Sequence, residues 1–222
     1  MKVARAIAAA VALLGTAAAR GTAPRDPPAP APARLDAPAP LAPAPPAAAP
    51  LPPRRRVLLL LRAVLYDRNL AARLGGHADV VVLFRPGDRA SEADRDAMLD
   101  AVDAAAREVV AAGRPVRALA VPWTGPEALE RRLTGARPAV LYACAGLEAE
   151  AAPVAGVTRA TGVLSASGSR DMAVAGIALA LVHRGARAGI VVNLEAARAE
   201  GADLDAALLG LAEVIGRPEL AR

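Results

Sequence analysis

Thirteen of the 20 prolines in this 222-residue chain lie between Pro24 and Pro53. Proline fixes its own backbone angle and removes a hydrogen-bond donor, and the Pro/Ala-rich sequence here offers almost nothing apolar enough to build a core. We therefore predict a disordered linker over residues 20–56 and a single folded domain over residues 57–222. A domain of this size buries on the order of 70% of the surface of its unfolded chain, so it needs neither a disulfide nor a structural metal.

The first 19 residues have the three parts of a secretory signal peptide. Lys2 and Arg5 supply the positive start, AIAAAVALLG the short apolar run, and Ala17 to Ala19 the small residues of a cleavage site. The apolar run is shorter than the about 20 residues that a transmembrane helix needs. We predict export to the periplasm through a cleavable signal peptide over residues 1–19. Retention of this leader as a membrane anchor is the alternative.

The net charge of +5 belongs to the N-terminal quarter of the chain and not to the domain. Residues 1–56 hold eight of the 27 basic and two of the 22 acidic side chains, which leaves 19 basic and 20 acidic groups in the domain. Aromatic residues make up only 2% of the chain. A nucleic-acid-binding domain would need a basic face with stacking aromatics, so this class is excluded. The arginines at 54–56 are interpreted as a solvated run at the domain edge, with contact to anionic lipid as the alternative.

Alternating helical and strand patterns indicate an α/β domain. Short apolar runs rich in β-branched residues and bounded by turn residues predict buried strands. They occupy residues 79–84, 116–121, 139–145 and 162–167. We expect a three-layer Rossmann-like sandwich with a mainly parallel sheet and a C-terminal β-hairpin plus helix.

Three helices are predicted before the last of these strands. The first covers residues 57–75, where Arg73 and the glycine pair that follows it give a C-terminal signal. The second begins at Ser91, with Ser91 and Asp94 resembling a capping box, and ends before Gly113. The third is short and covers residues 126–133. The charged residues of the second helix are expected on a solvated face; they are Asp94, Arg95, Asp96, Asp100 and Asp103.

The last third of the chain contains a hairpin signal. Two β-like runs flank the sequence from His183 to Ala186. Asn193 follows the second run and is a candidate N-cap for the next helix. A final helix is predicted over residues 204–215.

No catalytic signature is present: the sequence lacks a Walker loop, HExxH, GxSxG and a dinucleotide-binding GxGxxG. Cys144 lies in an apolar run and is expected to be a buried hydrophobe, with His77 and His183 in unrelated segments. We predict no catalytic residues, no metal site and no cofactor.

One loop suggests a binding site. It follows a predicted parallel strand, and ligands of open α/β sheets bind beyond the carboxyl ends of the strands. Hydroxyls, glycine amides and an arginine there could hold a small anion. The candidate ligand-binding residues are Ser165, Ser167, Gly168, Ser169 and Arg170. The alternative is a turn whose polar side chains satisfy neighbouring backbone groups.

Residues 163–215 resemble the end of the YfiR family of bacterial periplasmic proteins. The order of features carries the resemblance: a strand that ends in small polar residues, a glycine-led hairpin that ends at an asparagine, an alanine-containing helix that ends at glycine, and a leucine-rich last helix. The matching residues are Val163-Leu164-Ser165, Gly176-Ile177, Asn193, Ala196-Ala197, Gly201, Leu204, Leu208, Leu209 and Leu211.

Three departures from the family pattern are visible. Ala175-Gly176 stands where the family has paired glycines, and Ile190-Val191 replaces an aromatic before the asparagine. The Trp-Pro pair that follows the first helix in the family is missing. Cys144 is the only cysteine, so the cysteine pairs of some members and any redox regulation attached to them do not carry over.

The resemblance implies a non-enzymatic periplasmic sensor or regulator with a Rossmann-like fold. Its partner would be the extracytoplasmic part of an inner-membrane signalling protein, a diguanylate cyclase or a sensor kinase. A periplasmic small-solute-binding protein is the alternative function, in which a small-molecule ligand binds the loop around Ser167. A homodimer formed through the exposed hairpin edge is a further expectation left open.

Overall fold

A sheet of eight strands organises the part of the chain that the computed structural model describes, which is residues 50–107, 110–111 and 113–216. The predicted signal peptide and most of the predicted linker lie outside these residues. The strands are β1 Ala78–Phe84, β2 Val110–Ala111, β3 Arg114–Pro122, β4 Val140–Ala143, β5 Leu164–Ser167, β6 Leu179–Arg184, β7 Arg187–Asn193 and β8 Glu213–Ile215.

The strand order is β2-β3-β1-β4-β5-β6-β7-β8. Five neighbouring strands, from β3 to β6, run parallel. β7 is antiparallel to β6, β8 is parallel to β7, and β2 is antiparallel to β3 at the opposite edge. The central strands are buried on both faces, as their continuous apolar runs predict.

Helices cover both faces of the sheet. They are α1 Pro53–Leu65, α2 Leu70–Arg73, α3 Arg89–Ala106, α4 Pro126–Ala136, α5 Ala151–Thr161, α6 Arg170–Val174, α7 Leu194–Ala199 and α8 Ala206–Leu211. Buried side chains of α1, α3, α7 and α8 form one core with alternate strand residues such as Val80 and Val82. Those of α4, α5 and α6 pack on the other face, against residues such as Val81 and Leu83. The predicted three-layer sandwich is confirmed.

The first helix differs from its prediction at both ends. α1 begins at Pro53, so the expected domain start at residue 57 falls inside a helix, and Leu51 before it is buried. Pro53 suits the first helical position because its missing N–H has no partner to lose there. The helix ends at Leu65 and not near residue 75, because the buried Asp67 accepts hydrogen bonds from the backbone N–H groups of Asn69 and of the distant Asp203.

The cap of α3 was also assigned wrongly from the sequence. The N-cap is Asp88, whose carboxylate accepts from the N–H groups of Ala90 and Ser91 at 2.9 and 3.0 Å. Ser91 instead accepts a hydrogen bond from the N–H of Arg85. The side chain of Asp94 is thereby available for a different contact.

The C-terminal third follows its prediction as far as Asn193. The hairpin is β6 and β7, and the Asn193 side chain accepts from the N–H of Ala196 at 3.1 Å as the predicted cap. The last predicted helix is present but shorter than predicted, because α8 stops at Leu211 and the chain continues as β8, in register with Val191 to Asn193. Helices α5 and α6 were not predicted. No helix in the described residues has the length and apolar character to cross a membrane.

Candidate functional site

A cleft of about 490 Å³ opens beyond the carboxyl ends of the parallel strands. Numbered along the chain, the five parallel strands have the order 2-1-3-4-5, which reverses direction between β1 and β4. Ligands of open α/β sheets bind at this reversal. The cleft lies there: its walls are α3, which follows β1, and the loops that follow β4 and β5. It is lined by Pro50, Arg56, Ala90, Ala93, Asp94, Ala97, Ala143, Ala145, Glu148, Gly168, Ser169 and Met172.

A buried three-residue cluster lies at the base of this cleft. Nη1 of Arg56 on α1 is 2.6 Å from Oδ1 of Asp94 on α3, and it donates to the hydroxyl of Tyr142 on β4. The Tyr142 hydroxyl donates to Oδ2 of Asp94 at 3.3 Å. The arginine and aspartate side chains are only 6% and 11% exposed. The cluster joins two helices of this layer, α1 and α3, to the central strand β4.

The charges in the cluster stabilise each other. Burial lowers the pKa of Arg56, but Tyr142 and Asp94 outweigh it and the pKa lies above its ordinary value. Burial, followed by the charge of Asp94, raises the pKa of Tyr142. The arginine is therefore charged and the tyrosine neutral at physiological pH. Replacing any one partner would leave buried polar groups without compensation.

Two details connect the cluster to the cleft itself. Oδ2 of Asp94 also accepts from the N–H of Ala145 at 3.1 Å, which fixes the loop after β4. A Cβ at Gly168 would lie 3.0 Å from the Tyr142 hydroxyl and 3.4 Å from Nη1 of Arg56. Gly168 thus allows the loop after β5 to approach the cluster closely. Among the described residues, Nε of Arg56 is buried without a hydrogen-bond partner.

The structure places the five residues of the predicted binding loop in different environments. Ser165 is fully buried, and its hydroxyl donates to Glu200 at 2.6 Å and accepts from the N–H of Ala178 at 2.9 Å. The Ser167 hydroxyl is bonded to the backbone of Ser169. Neither serine side chain lines the cleft. Each hydroxyl instead accepts a hydrogen bond from a neighbouring backbone N–H.

The rest of the loop has two different positions. Gly168 and Ser169 line the cleft beside Arg56 and Asp94. Arg170 lies elsewhere, 2.5 Å from Oε1 of Glu213 on β8, and is half exposed. Of the five candidate residues, Gly168 and Ser169 therefore line the cleft, and ligand binding by this loop stays a prediction.

Arg56 and Asp94 were missed from the sequence. Arg56 was assigned to a solvated basic run and Asp94 to a solvated helix face, whereas the structure buries both. No spacing pattern links positions 56, 94 and 142, because three separate elements bring them together. The only local signal was the position of Arg56, which directly precedes the apolar residues of α1.

The chemistry of the cleft suits binding. Alanine is the commonest residue of its lining, and a few polar groups converge on it. Cys144 is buried and free nearby, and burial raises the pKa of its thiol, so little thiolate forms near neutral pH. Among the described residues, no group of three His, Cys, Asp or Glu side chains could hold a metal ion.

Solved structures share this fold. The substrate-binding protein CD0873 of Clostridium difficile, which has adhesive properties, superposes with a TM-score of 0.50 over 68% of this chain at 10% identity. A conserved domain protein of Vibrio cholerae gives 0.53 over 75% at 12% identity. The chain spans 58% and 61% of these proteins. At such identities the likeness concerns the fold alone.

Sequence comparison gives a more specific relationship. No curated protein sequence matches the chain. A family model described as YfiR/HmsC-like, DUF4154, matches residues 91–213, which is more than half of the chain and runs from α3 to the start of β8. The chain belongs to the YfiR/HmsC-like family.

Proposed function

We propose that this protein is a non-enzymatic periplasmic regulator that binds the extracytoplasmic part of an inner-membrane signalling protein, a diguanylate cyclase or a sensor kinase. The observation that carries the proposal is the family match over residues 91–213. The N-terminal sequence adds support, because a leader with a cleavage site directs the domain to the compartment where such receptors are exposed.

The surface of the domain is compatible with a protein partner. Leu58 and Leu65 on α1 are 43% and 49% exposed, and Leu211 at the end of α8 is 75% exposed. Tyr66, directly after α1, is 39% exposed and lines the same groove as Leu211. Large apolar side chains grouped on a surface are typical of interaction sites.

Site-specific cross-linking in the parent bacterium tests the proposal. A photo-reactive residue is placed at Leu58 or at Leu211 of the full chain, with Arg131 on the opposite face as the control position. We expect an inner-membrane protein with a periplasmic domain to be cross-linked from the first two positions only. Deletion of the gene should then change the output of that protein. A turnover activity that is lost on changing Cys144 or His183 would contradict a non-enzymatic role.

A small-solute-binding function is the second candidate, and the cleft at the strand reversal is the observation that favours it. Gly168, Ser169 and Arg56 would contact the solute. Gly168→Val would fill the cleft and press on the Arg56–Tyr142 pair. A solute that raises the melting temperature of the wild-type protein but not of this variant, with no membrane partner captured, would favour this function over the first.

A further inference from the structure

The outer edge of β7 is only half covered. β8 pairs with β7 at Val191, Val192 and Asn193, and begins at Glu213. The preceding half of β7, Arg187 to Ile190, has no strand opposite its outer edge in the described part of the chain. An open strand edge is a template for pairing with another chain.

The outward-facing backbone groups can be assigned from the hairpin. A two-residue turn, Gly185 and Ala186, places Arg184 and Arg187 opposite each other as a pair that exchanges backbone hydrogen bonds. Every second residue of β7 therefore bonds to β6, in agreement with the bond from the N–H of Asn193 to Ala178. The N–H and C=O of Ala188 point the other way, towards the open edge.

Two grooves flank this edge, one on each face of the sheet. The apolar groove, of about 300 Å³, lies on the α1 face and is lined by Leu59, Arg62, Tyr66, Ile190, Leu208 and Ala212, among others. The basic groove, of about 640 Å³, lies on the α6 face and is lined by Arg170, His183, Arg184, Arg187, Gly189 and Glu213, among others. Leu211 lines both.

The basic groove carries an excess of positive charge. Glu213 is the acid in its lining, and it already has two partners, at 2.5 Å from Arg170 and 3.9 Å from Arg184. Both arginines are about half exposed, and Arg187 is exposed beside them. An acidic side chain that enters this groove would find unsatisfied positive charge.

The arginines of the basic groove make pairing of β7 with the β7 of a second copy unfavourable. Two copies joined edge to edge would bring the arginines of both hairpins close together, and like charges on neighbouring strands are destabilising. The concave apolar groove on the other face likewise fits an inserted side chain better than a flat layer of lipid headgroups.

We propose that an extended segment of a partner protein, with alternating acidic and apolar residues, adds as a strand to β7 at Ala188. Its backbone bonds to the outward groups of Ala188, and its alternate side chains enter the basic and the apolar groove, because successive residues of a strand point to opposite faces. This inference rests on the proposed function, since it assigns the surface and the chemistry of the partner.

The first experiment isolates the backbone contact. The probe is a short synthetic peptide of alternating valine and glutamate. It should bind the full chain and protect the amide of Ala188 from hydrogen exchange. Ala188→Pro removes the N–H that points to the open edge and leaves the hydrogen bonds between β7 and β6 in place. It should weaken binding of the peptide about tenfold. Ala188→Val adds similar bulk beside the grooves but keeps the N–H, so it should weaken binding less than Ala188→Pro does.

The second experiment tests the charge. Arg184→Glu together with Arg187→Glu should weaken binding of the peptide about tenfold, and a peptide of alternating valine and lysine should not bind the wild type. The matched control is Arg131→Glu with Arg132→Glu on α4, which makes the same change in net charge at exposed positions away from β7. Equal losses in both double variants would contradict the proposal.

Other occupants of the edge give distinct results. Binding to anionic phosphatidylglycerol vesicles that Arg184→Glu and Arg187→Glu abolish, without protection of Ala188 by the peptide, would make this a lipid-binding surface. A dimer seen by sedimentation and lost in Ala188→Pro would make the occupant a second copy. Either outcome overturns the inference. A membrane partner that cross-links equally to Ala188→Pro and wild type also overturns it, but leaves the proposed function standing.

Discussion

Arg56 places a positive charge in the interior between α1 and α3, where Asp94 and Tyr142 are its partners. We predict that Asp94→Ala lowers the free energy of unfolding by about 3 kcal/mol or more, because it leaves a buried guanidinium unpaired. Replacing all three by apolar residues, with Arg56→Met, Asp94→Leu and Tyr142→Phe, should cost less than the single change. Denaturant unfolding measures both, and a larger loss in the triple variant would contradict this account.

Glu200 is a second ionisable residue in the interior, with no solvent exposure. Its carboxylate accepts hydrogen bonds from the Thr158 hydroxyl at 2.6 Å and from the hydroxyl and N–H of Ser165 at 2.6 and 2.8 Å. Burial nevertheless raises its pKa from 4.5 to about 7. An acid with a higher pKa in the folded state holds its proton more tightly there, so this group makes the protein less stable as the pH rises from about 4.5 to 7.

We therefore predict that Glu200→Gln, which stays neutral, removes a pH-dependent loss of at most about 3 kcal/mol. The quantity to measure is the difference in the free energy of unfolding between variant and wild type across this range. Relative to the wild type, the variant should gain stability as the pH rises. Glu195→Gln, at an exposed position of the preceding helix α7, is the control. A constant difference between Glu200→Gln and wild type would show that folding does not raise the pKa of this carboxyl group.

At the scale of elements, Asp67 separates α1 from α2. Its side chain is fully buried, pairs with Arg73, and accepts from the N–H groups of Asn69 and Asp203 at 3.0 and 2.9 Å. We predict that Asp67→Ala costs about 3 kcal/mol and accelerates hydrogen exchange at Arg68, whose N–H bonds to Asp203. Arg68→Ala removes surface ion pairs with Asp205 and Asp203 and should cost less than about 1 kcal/mol. Similar losses in both variants would contradict this prediction.

The elements that were predicted correctly are those whose pattern is local. The strands β1, β3, β4 and β5 were found because apolar runs between turn residues leave few other structures. The end of α1 and the start of β8 were not, because each depends on a distant partner. Asp67 bonds to residue 203, and β8 pairs with β7 about 20 residues earlier. These contacts with distant residues end α1 and α8 earlier than their local periodicity predicts.

At the scale of the whole molecule, the fold extends further towards the N-terminus than the proline-rich composition indicates. Leu51 is buried, Pro53 to Arg56 form the first turn of α1, and Arg56 belongs to the core cluster. We predict that a chain starting at Val57 is less stable than one starting at Pro50 by several kcal/mol, since it lacks the partner of Asp94. Thermal unfolding of the two chains measures the difference. Equal melting temperatures would place the domain boundary at residue 57 after all.

The sequence by itself determined the class of fold, the hairpin, the cap at Asn193 and the family resemblance, because these depend on patterns within one segment. It also indicated the loop of Gly168 and Ser169, because a polar turn after a buried strand is visible locally. Only the tertiary structure decided that Arg56, Asp94 and Tyr142 meet, and that half of the β7 edge stays open between two grooves. The reason is that hydrogen bonds and ion pairs between distant elements depend on their positions in space, which no single segment of the chain encodes.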